Sequence, residues 1–240
     1  MPYRILSIDE VAERLHIPRR EVEMLVRRKE IPFAQQGERT VFRKRDVEEW
    51  ASQRILGLRD RRLSEYHGVS SEKRRKRSNH DAVMTELLRP EFIAPSLPSK
   101  TRASVLRDVV AVADHLGLVS DANDLVRGLE ERERVCSTGL PGGLALLHPC
   151  HHDPYLFVGS FLVFCRTVQP IHFGTPDGKP ADLFFMVCCQ DDQSHLHTLA
   201  RLCMMAMDTD LLSKLRQAPP DADAMYRCII EAEEQVLKKR

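Results

Sequence analysis

The sequence has no apolar stretch long enough to span a bilayer. The longest apolar run, YLFVGSFLVFC at 155–165, is short and broken by Gly159 and Ser160. The opening residues, MPYRILSIDE, mix polar and apolar types and lack the apolar core of a secretory signal. A protein of the cytoplasm, without membrane insertion, is expected. An even cysteine framework is also missing: the seven cysteines are an odd number scattered through apolar segments, which favours buried, reduced thiols over disulfides. Net charge is almost absent, at +1, yet it is unevenly divided. Residues 1–80 carry +7 and the remaining 160 carry −6. Two parts with different partners are implied, and only the first suits nucleic acid.

What is present fits two compact domains in 240 residues, with 42% hydrophobic and 30% charged residues. In SIDEVAERLHIPRREVEMLVRRKEIP, Ser7 and Glu10 have capping-box spacing. Ile8, Val11, Ala12 and Leu15 share one helical face. His16-Ile17 turns the chain, and Pro18 stands where a second helix starts. Val22, Leu25 and Val26 form that helix's buried face, opposite Arg19, Arg20, Glu23, Arg27 and Arg28. IPFAQQ and RTVFRK form a hairpin-like pair around Gly37-Glu38, followed by a helix from Asp46 with Val47 and Trp50 inward.

This order resembles the winged helix-turn-helix domain of the excisionase/MerR type over residues 3–54. The resemblance implies double-stranded DNA as a partner, with the second helix in the major groove. Arg19, Arg20, Glu23 and Arg27 would face the bases, and Arg43, Lys44 and Arg45 would lie along phosphates. Such charges also suit a merely solvated surface, and the fold can serve protein contacts. Residues 56–80 begin as a possible helix and end without apolar content, in EKRRKR at 72–77, which reads as a basic, flexible connector. The domains are thus expected at 1–55 and 81–240.

From residue 82 helices alternate with strands: helices at 101–116, 122–133, 196–207, 210–216 and 222–237, and strands in GLALLH, FLVFCR and DLFFMVCC. The fold class is α/β (α+β), a small winged helix-turn-helix domain followed by a layered domain with a mixed sheet flanked by helices. GLALLHPCHH, residues 143–152, crowds His148, His151 and His152 around Cys150. Zinc is one reading, with Cys188, Cys189 or His197 completing a ligand set, although the spacing fits no standard finger. A nucleophile with bystanders is another. His16, His67, His80, His115 and His172 read as surface or structural residues, and Met204, Met205 and Met207 as core.

Four separate pieces bear on that choice: EREXXXSTG at 131–139, GXAXXH at 143–148, IXFGXXDGKPXDLXF at 171–185 and HLXXLAXL at 195–202. In this order they resemble the IIA domain of the fructose/mannitol and nitrogen-regulatory class of the bacterial phosphotransferase system, over about residues 83–237. The resemblance implies that His148 carries a phosphoryl group received from a histidine phosphocarrier. It implies that His195 is the second active-site histidine, Arg132 the active-site arginine, and Ser137 and Thr138 the hydroxyl positions. Leu147 stands where the family usually has proline, with Pro149 following. A neutral imidazole is a competent phosphoryl acceptor near pH 7. No metal and no cofactor is required. The expectation is a bacterial DNA-binding regulator with a phosphohistidine carrier domain rather than a stand-alone enzyme; a homodimer is left open. A carrier passing phosphate to a sugar-transport component and a IIA fold kept for protein contacts are the alternatives. If the acidic domain folds back onto the basic one, phosphorylation is expected to strengthen that masking and lower DNA affinity; a reshaped dimer interface would give the opposite sign.

Overall fold

The computed structural model describes residues 5–15, 17–57, 60–78, 82–150 and 155–238. The N-terminal unit begins with β1 (Ile5–Leu6), α1 (Ile8–Leu15) and α2 (Arg19–Arg27). The capping box forms as the spacing predicts: Glu10 N donates to Ser7 Oγ at 3.3 Å and Ser7 N to Glu10 Oε2 at 2.8 Å. Pro18, extended at φ −60°, is the N-cap of α2, the place where a missing N–H costs nothing. The hairpin β2 (Ala34–Gln36) and β3 (Arg39–Arg43) turns at Gly37, whose φ of +62° suits glycine. β1 adds to β3 as a third antiparallel strand. Helix α3 (Lys44–Gly57) starts two residues earlier than Asp46. Val11, Leu15, Val22, Leu25, Phe42 and Val47 form the buried centre of this unit. Trp50 is half-buried and its indole donates to Glu30 O at 2.6 Å.

The segment expected to be a flexible connector is different. Helix α4 spans Asp60–Ser78, with Leu63, His67, Ser70 and Ser71 buried. Its apolar content is sparse, which is why it reads as a linker. What orders it is polar: Arg201 Nε donates to His67 Nε2 at 2.6 Å, and Ser70 Oγ lies 2.8 Å from His197 Nδ1.

The C-terminal unit contains α5 (Met84–Leu87), β4 (Ile93–Leu97), α6 (Arg102–His115), α7 (Ala122–Val135), β5 (Gly139–Leu140), β6 (Leu144–Leu147), β7 (Phe161–Ile171), β8 (Ala181–Cys188), α8 (Asp192–Asp208), α9 (Leu211–Gln217) and α10 (Ala222–Lys238). Its five strands lie in the order β4-β7-β8-β6-β5. The β4–β7 and β6–β8 pairs are parallel and the others antiparallel, so the sheet is mixed. Strands β6, β7 and β8 are almost wholly buried, consistent with helices on the faces. Val105, Val109, Leu125, Leu199, Met205 and Ile229 supply helix faces to this core.

The end of the sheet that carries His148 and His195 is set by the strand order. Parallel β6 and β8 end together, so the residue after β6 and the helix after β8 meet at one edge. Gly143 turns the chain into β6 at φ +77°, where a Cβ would sit 2.7 Å from Arg216 Nη2 and 2.9 Å from Pro180 O. Leu147 is the last paired residue of β6, opposite Met186.

Candidate functional site

His148 directly follows β6 and is 2% exposed. Its Nδ1 lies 2.8 Å from Leu146 O. A carbonyl only accepts, so Nδ1 holds the proton and Nε2 offers its lone pair. That lone pair accepts from Arg132 Nε at 3.0 Å. Arg132 reaches it from the last turn of α7 and is 1% exposed. Arg132 Nη1 donates to Cys136 O at 2.9 Å, while Nη2 is buried with no hydrogen-bond partner among the described residues.

His195 enters from the other side. Asp191 caps α8 by accepting from Ser194 N at 2.9 Å, which fixes His195 in the first turn. The His148 and His195 rings are 5.0 Å apart between centroids and tilted by 53°. His148, His195 and Arg132, expected together, are thus brought together.

Ser137 and Thr138 hold the loop between α7 and β5. Ser137 Oγ donates to Phe173 O at 2.5 Å and accepts from Gly139 N at 3.0 Å. Thr138 donates through both its N–H and its hydroxyl to Glu133 Oε1, and Arg102 pairs with the same carboxylate.

His151 and His152 lie outside the described residues. Of the other zinc candidates, Cys188 is the last residue of β8, where burial pushes its thiol well up. Burial likewise raises the Cys150 thiol, with the Glu49 carboxylate adding to it. His197 stacks on His67, with centroids 5.2 Å apart and rings 5° from parallel. No cluster of three metal-ligating side chains exists among the described residues.

One feature has no local signal in the sequence: the helix-turn-helix unit sits on this site. Helices α3 and α4 both pack along α8. Ser52 Oγ of α3 is 3.3 Å from His195 Nε2. The same hydroxyl donates to Glu48 O at 3.1 Å, so it accepts from His195, whose Nε2 then carries the proton. Beside it, Lys44 Nζ lies 3.0 Å from Glu48 and 3.3 Å from Asp192, in the first turn of α8. Arg14 of α1 completes the cluster, paired with Asp192 and 3.5 Å from Glu48. Burial lifts the Glu48 carboxyl to about 8; Asp192 adds to the rise and Lys44 opposes it.

The remaining predicted DNA-facing residues divide in two. Arg20, Arg27, Arg43 and Arg45 are exposed. Arg19 is exposed but paired, 2.6 Å from Asp9 and 2.9 Å from Glu23. Lys44 faces Asp192 across the domain contact.

A helix-turn-helix unit seated on a layered α/β domain with a buried His–His–Arg group is the class defined by this fold and site. Residues 86–232 match the family described as "Phosphoenolpyruvate-dependent sugar phosphotransferase system, EIIA 2", and the chain belongs to that family. Residues 5–55 match a helix-turn-helix domain family. The nitrogen regulatory protein of Bradyrhizobium diazoefficiens is 32% identical over 145 residues, covering 60% of this chain and 92% of that protein. The fructose-specific EIIABC component of the Bacillus subtilis phosphotransferase system is 28% identical over 137 residues, 56% of this chain and 21% of that protein. Among solved structures, nitrogen regulatory protein IIA-Ntr from Neisseria meningitidis shares the fold, with a TM-score of 0.55 at 23% identity over 61% of this chain and 99% of that one. No helix among the described residues is long and apolar enough to cross a membrane.

Proposed function

We propose that this protein is a DNA-binding regulator whose EIIA-type domain accepts a phosphoryl group on His148 Nε2 from a histidine phosphocarrier. The observation that carries the reading is the polarised His148 ring: Nδ1–H is committed to Leu146 O, and Nε2 lies 3.0 Å from the Arg132 guanidinium. The Arg132 Nε hydrogen bond to Nε2 gives way, and the freed lone pair attacks phosphorus on the donor's phosphohistidine. The donor P–N bond breaks, its electron pair returns to the donor ring, which takes up a proton from solvent, and the phosphorylated His148 ring keeps its Nδ1–H and the balancing positive charge. Such transfer is mainly positioning and charge stabilisation. Arg132 Nη2, buried and unpartnered, is a donor for a phosphoryl oxygen. His195, neutral near the positive end of α8, donates to the same group without carrying it.

DNA binding is supported by the exposed arginines of α2, Arg20 and Arg27, and by the exposed Arg43 and Arg45. Regulation is favoured over sugar transport because a helix-turn-helix unit precedes the EIIA-type domain. The test is intact mass after incubation with phosphoenolpyruvate, enzyme I and a histidine phosphocarrier. One acid-labile phosphoryl group is expected on the full chain and none on His148→Ala. Phosphorylation of His148→Ala would contradict the assignment.

A further inference from the structure

Both histidines are buried, and the helix-turn-helix unit contributes to the cover of His195 through Ser52. His148 is 2% exposed and His195 0%. A phosphohistidine on another protein must come within bonding distance of His148 Nε2, which a buried nitrogen does not allow. The contact joins apolar packing to specific polar pairs. Ser52 Oγ accepts from His195 Nε2, and Arg14 and Lys44 bracket Asp192.

Ser52 occupies a telling place. A phosphoryl oxygen on His148 needs a donor from the facing histidine, and that donor is already spent on the Ser52 oxygen. A phosphoryl group would also bring up to two negative charges to the end of α8 where Asp192 already stands. Space, hydrogen bonding and charge all set the same two states against each other.

We propose that the helix-turn-helix unit is an internal competitor of the phosphoryl donor: α3 seated on the start of α8 and a phosphoryl group on His148 exclude one another. The inference rests on His148 being the acceptor. Linkage makes the effect reciprocal: docking that hinders phosphorylation is weakened by phosphorylation to the same degree. The released unit is what DNA sees in the phosphorylated protein. Docking uses α1 and α3, and α2 keeps Arg20 and Arg27 exposed in the closed state. The acidic domain does fold back, but it holds Lys44 and leaves Arg20 and Arg27 of α2 exposed, and the proposed effect of phosphorylation is release rather than stronger masking.

The test uses the full chain and two variants that weaken the contact from the helix-turn-helix side. Arg14→Glu reverses the charge facing Asp192, and Ser52→Leu replaces the hydroxyl with bulk. Circular dichroism and thermal unfolding establish that each is folded. Two rates are followed: phosphoryl uptake from the phosphorylated histidine phosphocarrier, and modification of His148 and His195 by diethyl pyrocarbonate, read by peptide mass spectrometry. The second measures access to the histidines without requiring any phosphoryl chemistry. Both rates are expected to rise in both variants, by about 5- to 150-fold, the usual span of coupling between sites. Wild-type rates of both reactions in the folded variants would overturn the competition and leave His148 as acceptor intact. Faster chemical modification with no phosphoryl uptake by any form would overturn the acceptor reading, and the competition with it.

Discussion

His148 presents one nucleophilic nitrogen, because Leu146 O holds the proton on the other. Phosphorylation is therefore expected on Nε2, and nitrogen-15 NMR of the phosphorylated ring distinguishes the two isomers. A signal at Nδ1 would mean that the loop after β6 rearranges before transfer. Arg132→Ala removes the charge that faces the incoming phosphate, and transfer is expected to slow about 100-fold without loss of the acceptor. Glu48 adds a pH dependence. In the docked state it faces Lys44 of its own helix, Arg14 of α1 and Asp192 of α8, and its carboxyl titrates at about 8. Undocked, it returns towards an ordinary carboxylate. The closed state thus holds a proton that the open state releases. Its stability is fully present below the ordinary carboxylate range and is lost as pH rises through about 8. Phosphoryl uptake by the wild type, relative to Glu48→Gln, is expected to accelerate from about pH 6 to about pH 8.5. A constant ratio would show that Glu48 does not titrate with docking.

At the scale of elements, much was legible. The Ser7–Glu10 box, Pro18 at the start of α2 and Gly37 in the hairpin are local signals, and each forms what its chemistry requires. The four spaced motifs pointed to His148, His195 and Arg132 through the family they resemble, and the structure brings the three together at ends of regular elements. Strand β4 was not legible: five residues, IAPSL, contain Pro95 and show no alternation. As an edge strand it tolerates the proline, whose carbonyl accepts from Arg166 at 3.2 Å. Only the start of α4 was legible, because its ordering contacts are with residues far along the chain, His197 and Arg201. Glu48 and Asp192 look like ordinary helix carboxylates until folding places them together. Lys44 has a consequence for DNA. It is held by Asp192 in the closed state and becomes available when α3 leaves. The phosphorylated protein is expected to show a log–log salt slope for DNA binding steeper by about 0.9, the value for one more phosphate contact. Equal slopes would remove Lys44 from the DNA-binding surface. Arg20→Ala is expected to relax sequence preference, whereas Arg45→Ala should weaken all sequences alike.

At the scale of the molecule, the polar contacts between the two units differ in character. The one at Asp192 is partly exposed, with Arg14 and Lys44 side chains 20% and 32% accessible, so it suits a reversible contact. The one at Arg201 is buried: the guanidinium pairs with Glu233 at 2.8 Å and holds His67, while Glu233 also accepts from Val83 N and Met84 N. Removing one partner leaves a buried charge, so Glu233→Ala is expected to cost about 3–5 kcal/mol in denaturant unfolding. Arg14→Glu, by contrast, should alter stability far less while opening the site. The most direct measurement of the whole account is phosphoryl uptake by the full chain, Arg14→Glu and His148→Ala, side by side with one phosphorylated histidine phosphocarrier. The account expects slow uptake of one acid-labile phosphoryl group by the wild type, faster uptake of one by Arg14→Glu, and none by His148→Ala. Uptake by His148→Ala, or equal rates for the first two, would contradict it.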